Sequence, residues 1–448
     1  MSVFLDRKID DFLNNWKHKP DRMPLIIKGA RQIGKTASIM HFAKENYKNI
    51  IEINFVFQKN YKDIFDDGFE VDTIVRNITF KNPDYVFEDG NTLIFFDELQ
   101  ACPNAATSLK SFKLDGRYDV ICSGSLMGIH YKEIESNSVG FKEDYNMYSL
   151  DFEEFMWAKG YKPEHIEELY SHMIECKPLP NSVFNAVMEV FREYMVLGGM
   201  PKVVATFVEQ NNYSNTLELQ KQLLIDYEED ITKYAEGLDK AKILNIYRHI
   251  PIFLAKDNKK FQISKIGKNT RNRNYVGTIE WLTDAGIINV CHSINIPELP
   301  LKGNYDSKDY KIYYSDTGML IASLDDEAQT DLRNNKNFNT YKGAIYENIV
   351  AEMLVKAGYD LYYYKNDKST IEIDFLIRDA DSLIPVEVKA QNDTSASLNA
   401  MIKRDRYQDV KYGIKLANAN IGYNGLFYTF PYFTTFLLKK YLADDSRK

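Results

Sequence analysis

Apolar residues in the first third of the chain come in short runs. Between Met23 and Leu150 the runs PLIIKG, NIIEINFVF, NTLIFFDE, YDVICSGS and YNMYSL are β-rich and alternate with longer polar or helix-patterned stretches. That alternation predicts a mostly parallel sheet covered by helices. Ahead of it Phe4, Leu5, Ile9, Phe12 and Trp16 recur at helical spacing, predicting an amphipathic lead-in helix ended by a turn between Pro20 and Pro24. From Asp151 to Tyr234 no strand pattern occurs, and helices are expected with breaks at Gly160, at Pro178 to Pro180 and at Gly198-Gly199-Met200-Pro201. Between Glu236 and Leu324 helical stretches, including VGTIEWLTDA before Gly286, precede the β-rich runs IINVCHSINI and YKIYYSD. Helices followed by a hairpin predict a winged-helix module. The polar stretch DDEAQTDLRNNKNFNT then marks a boundary before a last segment, near Tyr341 to Lys448, read as helix, strand, strand, helix, strand. No internal repeat is found.

Composition narrows the class. A chain of 448 residues, 44% hydrophobic and 27% charged, is globular, with apolar surface for roughly two to four cores, and excludes disorder and collagen-like repeats. Fifty-six Lys plus Arg against 64 Asp plus Glu leave a net charge of −8, so nucleic-acid contact must come from local basic patches. Cys102, Cys122, Cys176 and Cys291 lie far apart with no C-x-x-C pair, against a zinc site or a disulfide framework and in keeping with a reducing cytoplasm. No run approaches the roughly 18 to 20 apolar residues of a membrane span, so no membrane contact is expected.

Chemistry enters at Gly29-Ala30-Arg31-Gln32-Ile33-Gly34-Lys35-Thr36, which matches G-x-x-x-x-G-K-[ST] between an apolar strand and a helical stretch. Gly29 and Gly34 let backbone N–H groups wrap a phosphate closely, Lys35 neutralises the β and γ oxygens, and Thr36 offers a hydroxyl to Mg²⁺; Arg31, inside the loop, is a further candidate nucleotide contact. Downstream, Thr92 to Phe96 form a buried-strand run ending in Asp97-Glu98. This reads as a Walker B strand, with Asp97 holding Mg²⁺ through water and Glu98 polarising the attacking water. The next strand ends in Ser123-Gly124-Ser125, where Ser123 and Ser125 are candidates to touch the γ-phosphate or that water, the alternative being a plain turn.

With GARQIGKT at 29–36, LIFFDELQ at 93–100, CSGS at 122–125, SLDFEEFMWAKG at 149–160, YMVLGGMPKVV at 194–204 and YYSDTGML at 313–320, the chain resembles AAA+ ATPases of the AAA_14 type that carry a DUF4143 carboxy-terminal region. The resemblance spans nearly the whole chain. It implies ATP and Mg²⁺ as cofactors, hydrolysis that depends on a homo-oligomer or a partner, and a structural role for Asp316 and Gly318 in closing the winged-helix hairpin. No Arg lies between Arg117 and Arg192, so no arginine finger is assigned, Lys142 is a weak substitute, and slow basal turnover is expected.

The last segment carries a second motif. Thr370 to Ile377 and Pro385 to Gln391 read as two strands joined by a polar turn, and period two puts Glu387, Lys389 and Gln391 on one face. Asp374 on the partner strand would join Glu387 to hold a hard cation, and Lys389 would orient or help deprotonate the water attacking a phosphodiester. Glu347 sits at the edge of the apolar stripe of the helix at 341–357. The set resembles the PD-(D/E)XK nuclease fold, with Glu347, Asp374 and Glu387 as metal ligands and Glu387 and Lys389 as catalytic residues. The alternatives are an exposed ion pair worth about 0.2–1 kcal/mol, or a binding platform that does not cleave. Finally, residues 258–275 hold Lys259, Lys260, Lys265, Lys268, Arg271 and Arg273 and no acid. Lys265, Lys268, Arg271 and Arg273 are the candidate DNA contacts beside a recognition helix, a solvated surface being the alternative.

The expectation is therefore an α/β protein: an AAA+ P-loop ATPase core with a parallel sheet (1–160), a helical lid (161–235), a winged-helix module (236–330) and a PD-(D/E)XK nuclease-like α/β domain (336–448), cytoplasmic, with ATP gating nucleic-acid binding or cleavage. A nucleotide-dependent switch or scaffold is the alternative.

Overall fold

The computed structural model describes residues 4–124, 138–235, 240–254, 256, 261, 275–334, 336, 340–366, 371–389 and 395–444. Ser125, Lys265, Lys268, Arg271, Arg273 and Gln391 lie outside them.

The front of the chain runs α1 (Lys8–Lys17), β1 (Leu25–Lys28), α2 (Lys35–Asn46), β2 (Asn49–Asn54), α3 (Val71–Lys81), β3 (Thr92–Asp97), α4 (Pro103–Asp115), β4 (Asp119–Gly124) and β5 (Glu143–Asn146). Its five strands form one parallel sheet in the order β2-β3-β4-β1-β5. β3 is buried along its whole length, and its alternation divides the core. Leu93 and Phe95 pack with Leu13, Trp16 and Phe42 on one face; Ile94 and Phe96 pack with Ile74, Leu109 and Phe112 on the other. A strand apolar on both sides needs helices on both sides, and α1 and α2 face α3 and α4 across the sheet for that reason.

Helices follow, as the pattern predicts: α5 (Phe152–Ala158), α6 (Pro163–Ile174), α7 (Asn181–Leu197), α8 (Pro201–Gln210), α9 (Thr216–Tyr234), α10 (Lys240–Leu254) and α11 (Val276–Asp284). The break between α7 and α8 is set by close approach. A Cβ at Gly199 would stand 2.0 Å from the Leu150 carbonyl oxygen, and one at Gly198 (φ +70°) 2.0 Å from Asp316 Oδ1.

Next come the antiparallel strands β6 (Ile288–Ile294) and β7 (Tyr305–Tyr314), then α12 (Thr317–Ala322), α13 (Ala328–Arg333) and α14 (Thr340–Lys356). The chain closes with β8 (Leu361–Lys365), β9 (Glu372–Ile373), β10 (Phe375–Arg378), β11 (Leu383–Lys389), α15 (Ala396–Ile402), β12 (Gly413–Ala417), β13 (Gly422–Tyr423), β14 (Phe427–Pro431) and α16 (Leu438–Ala443). Two sheets result, β7-β6-β8-β9 and β10-β11-β12-β14-β13. The run LYYYK forms a strand, β8, absent from the sequence reading. β8 pairs in parallel with β6, Cys291 opposite Leu361, so hydrogen bonding crosses the boundary drawn near 330–336. Asp316 differs from its expected role in closing the hairpin. Its Oδ2 accepts from Ser149 Oγ and from the Gly199 N–H, both at 2.8 Å, and so ties the hairpin's exit to the segment before α5 and to the α7–α8 break.

Candidate functional site

In a parallel sheet the carboxyl ends of all strands share one edge, and the first candidate site lies there. β1 delivers the chain to Gly29, where a Cβ would meet the Met147 carbonyl oxygen at 2.2 Å. Gly34, at φ +95°, starts α2 from the left-handed region. Between them the loop turns back over the helix N-terminus, the arrangement that points N–H groups and a partial positive charge at an anion. Lys35 Nζ donates to the carbonyls of Gly29 (3.1 Å) and Ala30 (2.7 Å). Burial, which outweighs the opposing charges of Glu98 and Asp97, pulls its pKa down to about 8.

Asp97, at the tip of β3 and 6% exposed, gathers the strand ends. Its Oδ2 accepts from Thr36 Oγ1 (3.3 Å) and Asn54 Nδ2 (3.0 Å); its Oδ1 accepts from Ser123 Oγ and from the Glu98 N–H (3.0 Å). Glu98, at φ +58°, accepts from Gln100 Nε2 and stands 3.9 Å from Arg31. Thr36 and Asp97 fit a magnesium ion: the Thr36 hydroxyl, 3.3 Å from Asp97 Oδ2, is placed to ligate the ion directly with Asp97 holding it through a bound water.

Helix α9 grips the loop from the other side, which the sequence reading missed. Arg31 pairs with Asp230, Gln32 Nε2 donates to Asp226 Oδ2 at 2.7 Å, and Tyr227 OH donates to the Arg31 carbonyl at 3.1 Å. Acids at four-residue spacing in DYEED look like a solvated helix face; only packing aims them at the loop. Beside Gly34, Ala37 and Ser38 an open cleft of about 470 Å³ runs between Leu5 and Pro201-Lys202.

The second motif is held differently from its expected form. Glu387 Oε1 pairs with Lys389 Nζ at 2.7 Å, in line with period two, and Glu387 Oε2 is buried without a hydrogen-bond partner. Asp374 sits at the break between β9 and β10, its Oδ2 accepting from the Val388 N–H at 2.8 Å. Glu347 is buried, but its Oε1 accepts from Lys311 Nζ (3.1 Å) and from Tyr313 OH. Among the described residues no three His, Cys, Asp or Glu side chains form a group able to hold a metal ion. The expected Glu347–Asp374–Glu387 set is thus not gathered as such a group among the described residues, and Glu347 is paired with Lys311 instead. The Lys311 ammonium, 2% exposed, also stands 3.7 Å from Glu372. Burial alone would lower its pKa; Glu347, Asp374 and Glu372 more than offset that and hold it well above the ordinary lysine value. Lys415, also buried, lies opposite Glu387 in the β11–β12 register.

Residues 21–156, which carry the loop, Asp97, Glu98 and Ser123, match the AAA_14 family, described as an AAA domain. This segment is a P-loop ATPase domain of the AAA type. Residues 188–330 and 342–433 match two domains of unknown function, DUF8612 and DUF4143. No curated protein matches the chain. Among solved structures, it is similar to the Walker-type ATPase PABY2304 of Pyrococcus abyssi (13% identity, 71% of this chain and 96% of that one, TM-score 0.44). It is also similar to Orc1 of Aeropyrum pernix in complex with DNA (12%, 75% and 94%, 0.31) and to the RuvB Holliday junction branch migration motor of Thermotoga maritima (15%, 64% and 89%, 0.31). No helix among the described residues is long and apolar enough to cross a membrane.

The ATPase domain meets the rest of the chain through a buried polar node. Lys356 Nζ, on α14, has its three N–H donors among Ser149 Oγ (2.8 Å), the Leu150 carbonyl (2.9 Å), Tyr194 OH (3.1 Å) and Glu352 Oε1 (2.6 Å). Glu352 also accepts from Tyr194 OH at 2.8 Å and, through Oε2, from the Thr317 N–H (2.7 Å) and Oγ1 (2.6 Å). Segments from all four sequence-read units therefore share one network. Lys142, by contrast, is paired with Asp144 two residues away, at 2.6 Å.

Proposed function

We propose that this protein is an ATP-gated, DNA-acting machine in which the nucleotide state of the ATPase domain repositions a winged-helix module and a PD-(D/E)XK-like end domain. The observation that carries the coupling is α14. One helix presents Glu347 to Lys311, Glu352 to Thr317 a little over one turn later, and Lys356, about one turn further on, to Ser149 and Leu150 at the exit of the ATPase sheet. A shift of that exit on nucleotide binding is transmitted through a packed helix rather than a linker.

In this reading the loop amides and Lys35 hold the phosphates, Thr36 and Asp97 hold Mg²⁺, and Arg31 and Ser123 approach the γ-phosphate. Glu98 orients the attacking water. Bound Mg²⁺ would neutralise charge developing on the phosphoryl oxygens. Hydrolysis follows, slow in the isolated chain and dependent on a second copy or a partner, in the cytoplasm. For the end domain, support comes from the order α14, β8, the broken strand β9/β10, β11, α15, β12, with β10–β11 antiparallel and β11–β12 parallel. For DNA, it comes from the acid-free basic stretch at 258–275, with Lys265, Lys268, Arg271 and Arg273 as phosphate contacts. The second reading, a switch that binds without cleaving, is favoured by the position of Lys311 among the acids.

The test is DNA binding by fluorescence anisotropy with ADP and with a non-hydrolysable ATP analogue, alongside plasmid nicking in Mg²⁺ and Mn²⁺. The reading expects the two nucleotides to give affinities at least fivefold apart in wild type and equal in Lys35→Ala. Nucleotide-independent DNA affinity, or none, would overturn it. Nicking by wild type that is lost in Asp374→Ala and Lys389→Ala would decide for cleavage.

A further inference from the structure

We propose that Lys311 is a built-in cation of the end-domain acids, paired with Glu347 and Glu372 in place of a divalent metal, so that this domain engages its ligand without a metal ion. The inference rests on the end-domain half of the reading above and turns against cleavage.

The argument starts from charge. Among the described residues Glu347, Asp374 and Glu372 surround Lys311, and Glu387 lies on the strand whose Val388 N–H bonds Asp374; Glu347 and Glu387 are buried, and buried carboxylates must be paired or they stay protonated. Lysines meet that demand. Glu347 has Lys311 at 3.1 Å, Glu372 has Lys365 at 2.8 Å and Lys311 at 3.7 Å, and Glu387 has Lys389 at 2.7 Å. Asp374 accepts a backbone N–H from Val388 at 2.8 Å, and Lys415 is aligned with Glu387 on the neighbouring strand. A divalent ion entering this set would find carboxylates whose charge is already balanced, whereas hard-cation sites owe their affinity to a surplus of anionic oxygens.

Geometry then singles out Lys311. β7 is registered on β6 with Lys311 opposite Cys291, and Cys291 lies opposite Leu361 of β8. The hairpin thus carries this ammonium into the end-domain sheet, where it sits 4.8 Å from the centre of the Tyr363 ring. Tyr313, two residues on and on the same face, donates to the same Glu347 oxygen. A side chain with the Glu347 carboxylate, a tyrosine hydroxyl and an aromatic face fixed around it is a built counter-ion, not a surface lysine passing by. Among the described residues Lys389, paired with Glu387, is partly exposed at this edge, where an anionic group such as a phosphodiester would compete with Glu387 for it.

The experiment is a Mn²⁺ titration of the full chain without nucleotide, read as free Mn²⁺ by electron paramagnetic resonance. Wild type is expected to show no Mn²⁺ site that responds to Asp374→Asn or Glu347→Gln. Lys311→Met, which frees the acids, is expected to bind one Mn²⁺ at least tenfold more tightly than wild type, and Lys311→Met with Asp374→Asn to lose that gain. A wild-type site abolished by Asp374→Asn overturns the proposal, as does a folded Lys311→Met with no gain. If Lys311→Met does not fold, the comparison of wild type with Asp374→Asn still decides. Because no DNA is present, failure of DNA binding would sink the proposed function and leave this result standing.

Discussion

Lys35 offers the sharpest quantitative prediction. Its ammonium rests on two loop carbonyls and is largely buried, and burial brings its pKa from 10.5 to about 8. At about 1.4 kcal/mol per pH unit, that difference is roughly 3 kcal/mol against the charged form. Between pH 8 and 10.5 the unfolded chain binds more protons than the folded one, so this group's contribution to stability rises with pH across that window and is a penalty below it. Phosphate oxygens reverse the balance by returning a counter-charge to Nζ. Nucleotide binding above pH 8 must therefore take up a proton, and affinity falls by up to tenfold per pH unit. With a bound-state pKa of about 10.5, the dissociation constant for ADP rises about 20-fold between about pH 7.5 and 9.5, where its phosphates are already ionised. The assay is titration of a fluorescent ADP analogue across that range. Calorimetry at pH 8.5 in buffers of different ionisation heat should show uptake of most of one proton. Lys35→Met should bind more weakly with no such slope. A flat wild-type profile, or an equal slope in Lys35→Met, would refute the assignment of the burdened ammonium to this residue.

Other outcomes follow from the same geometry. Glu98→Gln should lower turnover about 10²- to 10⁴-fold with nucleotide affinity nearly unchanged, since it alters the water's partner and not the cradle; single-turnover hydrolysis measures it. Asp230→Asn should raise nucleotide affinity about three- to tenfold by removing a carboxylate that competes with phosphate for Arg31; the same titration reads it, and unchanged affinity would mean the pairing persists with nucleotide bound. Lys356→Met leaves Glu352 buried and unpaired, and should cost about 3–5 kcal/mol in urea unfolding, with Glu352→Gln added to it recovering part of the loss.

Much of the ATPase domain was legible because its signals are local. Strands buried on both faces show as unbroken apolar runs, and the loop's two positive-φ glycines, lysine and threonine are eight contiguous residues whose roles follow from backbone geometry. The alternation that pairs Glu387 with Lys389 is a property of any strand. Less local features were harder to read. LYYYK was passed over because aromatic runs of that length suit several structures. The acids of α9 were invisible as partners because nothing in DYEED says what the helix packs against. The hairpin expected to complete a winged-helix module reads as self-contained in the sequence, whereas β6 pairs with β8.

By itself, then, the amino-acid order determined which short segments carry chemistry, since spacing along a strand or a helix start dictates which side chains share a face. What only the tertiary structure decided was which charges meet. Arg31 finds Asp230 across 199 residues, Lys356 finds Leu150 across 206, and Lys311 finds Glu347 across 36. A charge is expensive to bury alone and tolerable beside its opposite, so the packing that brings these pairs together decides whether an acid motif is open to a metal ion or already answered by a lysine.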